Sequence, residues 1–86
     1  MTERELILLG FKSVEINEFE GEENPDYYYV YDVVNGLTFI TPSRQELKGD
    51  QWWVEIFNTE PAIKFCQMEK VQVLINALEK AKTVKQ

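Results

Sequence analysis

The sequence predicts an α+β fold of two layers. It consists of a four- to five-stranded, mainly antiparallel meander sheet, with a short N-terminal helix and a longer C-terminal helix on one face. Three observations carry that expectation. A helix-start signal opens the chain, β-favouring runs separated by turn residues fill its middle, and an apolar stripe at helical spacing closes it. The 86 residues are read as one domain, 1–86. A chain of this length builds a thin core, which two layers of secondary structure can enclose.

Thr2 and Glu5 have the Thr-x-x-Glu spacing of a capping box, in which each side chain satisfies a backbone N–H left open at a helix start. Leu6 and Leu9, with Ile7 beside them, are its core candidates. Gly10 suits the left-handed position that ends a helix, with Phe11 folding back onto it. Lys12–Phe19 then reads as a strand, since Val14 and Ile16 alternate with polar residues. Glu20–Asp26 reads as a loop, broken by Gly21, Asn24 and Pro25.

Tyr27–Val34 is rich in aromatic and β-branched residues and reads as a strand. Asn35-Gly36 follows, then Leu37–Thr41, and Asn-Gly between two such runs signals a two-residue hairpin. In the simplest register Val34 pairs with Leu37, Asp32 with Phe39, and Val30 with Thr41. Val33 then pairs with Thr38, and Tyr31 with Ile40, on the opposite face. Pro42–Asp50 reads as a polar loop and Gln51–Phe57 as a strand, with Trp52, Val54 and Ile56 on one face and Trp53, Glu55 and Phe57 on the other. Asn58–Pro61 turns the chain into a short strand, Ala62–Phe65, with Ile63 and Phe65 on one side. Gln67–Lys82 is an amphipathic helix whose stripe is Val71, Leu74, Ile75, Leu78 and Ala81. Thr83–Gln86 is expected to fray.

The formal charge is −6. Met1–Val34 holds nine acids against two bases, a balance of −7, whereas Lys64–Gln86 holds five lysines against two acids, a balance of +3. Such a distribution repels nucleic acid from one end and attracts basic protein surfaces there. The chain has no histidine and one cysteine, Cys66. That composition offers neither the commonest general base and zinc ligand nor a Cys-His nucleophile pair. No phosphate-binding glycine loop or hydrolase motif occurs. The expectation is a non-enzymatic protein with no cofactor and no metal. Cys66 reads as a buried structural thiol, and Asp32 as an exposed or sheet-edge acid. No membrane span or signal segment is read, and a cytoplasmic location follows from the single cysteine.

Both faces of the predicted sheet carry apolar residues. Leu37, Phe39, Val30 and Val34 line one face; Tyr29, Tyr31, Val33 and Ile40 line the other. Two helices cover only one of them, so large aromatics are left at the surface. The expected partner-binding residues are Tyr27, Tyr29, Tyr31, Trp53 and Phe57, beside the acids Glu20, Glu22, Glu23 and Asp26. Three functions fit: an inhibitor or adaptor of a basic protein, a homodimer through the sheet face or a strand edge, and a single-stranded RNA- or DNA-binding module that stacks bases on the aromatics. The acidic charge argues against the last.

The runs Glu5–Phe11 (ELILLGF), Tyr27–Asp32 (YYYVYD), Asn35–Leu37 (NGL) and Trp52–Phe57 (WWVEIF), closed by an amphipathic helix, resemble small acidic proteins carried by phages and prophages. Some of these are anti-CRISPR proteins, which disable a CRISPR effector nuclease. The resemblance implies an inhibitor acting in the cytoplasm of a bacterial host, with an RNA-targeting effector of the Cas13 type among the possible targets. It transfers no site residue.

Overall fold

The computed structural model describes residues 1–16 and 24–83. They form helix α1 (Glu3–Leu9), strands β1 (Lys12–Ile16), β2 (Asp26–Val34) and β3 (Leu37–Ile40), and a short 3-10 turn (Arg44–Glu46). Strands β4 (Val54–Ile56) and β5 (Lys64–Phe65) and helix α2 (Met68–Thr83) complete the order. The five strands lie in sequence order, each antiparallel to the next. This is the α+β meander that the sequence predicts.

The ends of α1 follow local chemistry. Thr2 Oγ1 accepts the Glu5 N–H, and the Glu5 carboxylate accepts the Thr2 N–H, closing the capping box. Gly10 sits at φ 101°, with its N–H on the Ile7 carbonyl and the Phe11 N–H on that of Leu6. This paired arrangement satisfies carbonyls that a helix end otherwise leaves open. A Cβ at Gly10 would strain that left-handed backbone and stand 3.2 Å from Cε2 of Tyr31. Gly10→Ala is therefore expected to lower stability by about 1–2 kcal/mol, readable by urea denaturation. No loss would mean that α1 ends without help from the glycine. Ile7 faces solvent, unlike Leu6 and Leu9.

The hairpin register departs from the simplest one. Val34 pairs with Leu37 as expected, but Asp32 pairs with Thr38, Tyr31 with Phe39 and Val30 with Ile40, because an irregularity between Asp32 and Val34 adds a residue on β2. Such a bulge shifts every later pair by one, so the two strands change which side chains they share on a face. Tyr31 joins Phe39, and Val30 joins Ile40.

The helices cover the face that carries Tyr29, Val33, Phe39 and Val54. Leu6 and Leu9 of α1 and Val71 and Ile75 of α2 close over these residues, with Phe11 and Trp52, in one buried cluster. The stripe of α2 fades toward its end, where Leu74 and Leu78 are half-buried and Ala81 is exposed. Strand β4 starts later than the predicted Gln51–Phe57 because Trp52 bonds elsewhere. Trp52 exchanges backbone hydrogen bonds with Met1, at 2.9 and 3.2 Å. The last strand is likewise reduced to Lys64–Phe65, and Ile63 is exposed while Phe65 is half-buried. Cys66 is exposed rather than buried, since Phe65 before it takes the covered side.

Candidate functional site

The tyrosines of β2 alternate across the sheet, and the bulge decides which ones meet the helices. Tyr27, Tyr29 and Tyr31 point to the covered face, not to the surface expected of them. Their rings pack on Trp52, Phe11 and Phe39, with centroids 5.3 to 6.4 Å apart. Their hydroxyls reach out of the core to carboxylates on the helices. Tyr27 and Tyr29 both donate to Glu3 Oε1 of α1, Tyr29 at 3.0 Å, and Tyr31 donates to Glu79 Oε1 of α2 at 3.0 Å. Lys82 ties the same corner, bonding Glu79 at 3.0 Å and the Val33 carbonyl at 2.9 Å. Two of the three covered-face tyrosines thus dock one helix to the sheet, and the third docks the other.

These bonds set the titration of the groups that form them. Burial and the bond to Glu3 push Tyr29 up to about 12 from its ordinary 10.0. The bond to Glu3, then burial, raises Tyr27, and burial with the bond to Glu79 raises Tyr31. Folding holds these hydroxyls protonated, so their stabilisation is complete below about pH 10 and is lost as pH rises from there towards about 12. The urea midpoint is expected to fall across that window, and Tyr29→Phe to flatten the fall. An equally steep fall in the variant would remove Tyr29 as its source. Glu79 works at the other end of the scale. Bonds from Lys82, then Tyr31, hold it below the usual carboxylate range, so its contribution fades on acidification through its lowered pKa.

The opposite face has no covering layer among the described residues. One row of side chains crosses all five strands: Lys12, Val30, Ile40, Glu55 and Lys64. Val14 lies beside Tyr28 in the neighbouring row, and Asp32 beside Thr38 on the other side. Phe57, whose N–H bonds the Thr38 carbonyl at 2.8 Å, extends that last row and is 58% exposed. Trp53, just before β4, falls on this face by alternation with Val54 but is half-buried and packs against the core. The centre is therefore apolar: Val14, Tyr28, Val30, Ile40, Trp53 and Phe57. Its charges nearly balance, with Lys12 and Lys64 against Asp26, Asp32 and Glu55. Lys64 approaches Glu55 at 4.0 Å and lies 5.3 Å from the Trp53 ring centroid. Asp32 is exposed, as expected, and accepts the Thr38 hydroxyl at 2.7 Å.

No family model, curated protein or solved structure matches this chain.

Of the predicted partner-binding residues, Trp53 and Phe57 stand on the open face, while Tyr27, Tyr29 and Tyr31 belong to the core and its rim. Asp26 starts β2 instead of ending a loop. Partial burial raises its pKa, but bonds from the Ser43 hydroxyl and the N–H groups of Gln45 and Tyr27 outweigh that and hold it low. Its Oδ1 is thus engaged within the fold. Glu20, Glu22 and Glu23 lie outside the described residues, as do Asn17–Phe19 of the predicted first strand and Val84–Gln86. Sequence reasoning missed Val14, Tyr28 and Ile40 as a group with Val30. The missing signal was the bulge at Val33, since the register without it divides these residues between faces.

Among the described residues no helix is long and apolar enough to cross a membrane, and no group of three or more Cys, Asp or Glu is placed to hold a metal ion. Among the described residues the buried Trp53 indole nitrogen has no hydrogen-bond partner. Leaving such a donor unpaired costs about 1–3 kcal/mol.

Proposed function

We propose that this domain acts by binding rather than by chemistry, as an inhibitor that docks a target protein onto the open face of its sheet. The observation that carries this reading is the half-buried apolar centre of that face, Val14, Tyr28, Val30 and Ile40, over which no helix lies among the described residues, with Tyr28 and the exposed Phe57 as aromatic anchors. Aromatic side chains of this kind dominate binding energy where a partner excludes water from them. Charge complementarity defines the partner. On that face Asp26, Asp32 and Glu55 outnumber Lys12 and Lys64, so the fitting surface is an apolar patch rimmed by lysine or arginine. Nucleic acid fits less well, because Lys12 and Lys64 are each offset by an acid on the same face.

The resemblance to anti-CRISPR proteins makes CRISPR effector nucleases, the RNA-targeting kind included, the target class to test first. Effector, guide and target nucleic acid are mixed with the purified domain, and cleavage is measured. Dose-dependent loss of cleavage is the expected result; undiminished cleavage by every effector tested would remove this target class. The near balance of opposite charges on the face also favours a second reading, in which two copies meet through it. Light scattering on the isolated domain separates the two, since the first reading expects a monomer.

A further inference from the structure

The two edges of the meander differ. Strand β5 is two residues long, whereas β1 runs for five in unbroken register, with no proline to disrupt its outer side. An edge of that kind is a template for a further strand. The ladder fixes which groups of β1 point outward. The Tyr29 carbonyl accepts the Thr41 N–H at 3.0 Å, and the Tyr29 N–H donates to Thr41 Oγ1 at 2.9 Å, so both backbone groups of Tyr29 face away from β1. Backbone groups alternate in direction along a strand, so Tyr28 and Val30 face β1 and bond their partners Val14 and Lys12. Ser13 and Glu15 then hold their N–H and C=O groups outward, and among the described residues no strand pairs with that side.

The side chains of Ser13 and Glu15 lie on the face of Tyr27 and Tyr29 and, with Glu3, line a recess of about 380 Å³. Glu3 and Glu15 are its charged groups, and among the described residues no base joins them in the lining. Arg44, close enough to bear on Tyr27, is engaged by Asp50 at 3.1 Å. On the other face the same edge presents Val14 and Ile16, both half-buried.

We infer that the β1 edge takes up an extended peptide segment as a sixth strand, one that alternates basic and apolar side chains. Its backbone bonds the outward groups of Ser13 and Glu15. Its lysine or arginine side chains meet Glu15 and Glu3 on one face, and its apolar ones meet Val14 and Ile16 on the other. The inference rests on the reading that this domain binds protein, but not on the open face as the docking surface.

The test is an NMR titration of the intact, isotope-labelled chain with an end-blocked heptapeptide alternating lysine and valine. A heptapeptide alternating glutamate and valine is the control. The lysine peptide is expected to shift the Ser13 and Glu15 amide signals saturably and to slow their hydrogen exchange, and the glutamate peptide to do neither. Glu15→Lys, at an exposed position, should weaken the affinity for the lysine peptide roughly tenfold. Ser13→Pro removes an outward N–H and no ladder bond, so it should abolish uptake while the β2 and β3 signals stay in place. No saturable shift at β1, equal uptake of both peptides, or undiminished affinity in either variant would each overturn the proposal. A negative titration leaves the open face standing, since that surface is tested by inhibition of effector cleavage.

Discussion

Glu3→Ala will cost this domain about 2–3 kcal/mol and lower its melting temperature by roughly 8–20 °C. Glu3 is a half-exposed acid in the first turn of a seven-residue helix, a position where truncation is ordinarily mild. Here its one oxygen receives the hydroxyls of Tyr27 and Tyr29. Tyr29 is 6% exposed, so the bond ties a buried ring of the sheet directly to α1. A helix of this length does not hold together alone, and its attachment to the sheet decides whether it forms. Urea denaturation of Glu3→Ala, Tyr29→Phe and the double variant measures the coupling, expected at about 1–2 kcal/mol. Arg4→Ala, one residue along and exposed, is the control and should be near neutral. Additive losses across the cycle would show that the carboxylate is not the anchor.

The second large effect separates two adjacent tyrosines. Tyr28→Ala should leave the fold intact and weaken target binding roughly thirtyfold or more, the scale of an anchor residue. Val30→Arg, at the centre of the row that crosses the sheet, should abolish binding by placing a charge where the partner must exclude water. Tyr29→Ala, next in the chain, should instead unfold the domain in large part, since it removes a buried ring and the Glu3 bond together, about 3–5 kcal/mol. Circular dichroism and melting curves report the fold, and inhibition of effector cleavage reports the binding. If Tyr28→Ala and Val30→Arg inhibit as well as the parent chain, the open face is not the docking surface.

The helices were legible because their signals are local. The Thr2–Glu5 box, the left-handed Gly10 and the repeat of Val71 and Ile75 each act within one or two turns, and no distant contact overrides them. The hairpin was legible at its tip for the same reason: Asn35-Gly36 sets the turn, and Val34 meets Leu37. The candidate site was legible only in part. Trp53 and Phe57 were found because they share one side of the run Trp52–Phe57 with Glu55, its single charged residue, which marks that side as the outward one. The tyrosines were assigned to the wrong side because Tyr27–Tyr31 is apolar or aromatic at every position, and such a run does not reveal which face is buried.

By itself the sequence determined the element order, the meander of antiparallel strands, the acid-rich first third and the surplus of apolar side chains over what two helices can cover. The tertiary structure decided which of those side chains are left uncovered. One extra residue at Val33 moves the β2–β3 register by one. With a side-chain period of two, that brings Tyr31 to Phe39 under the helices and leaves Val30 with Ile40 outside. Contacts far apart in the chain, from Glu3 to Tyr29 and from Glu79 to Tyr31, tie that face of β2 to the helices. These exist only once the layers have come together.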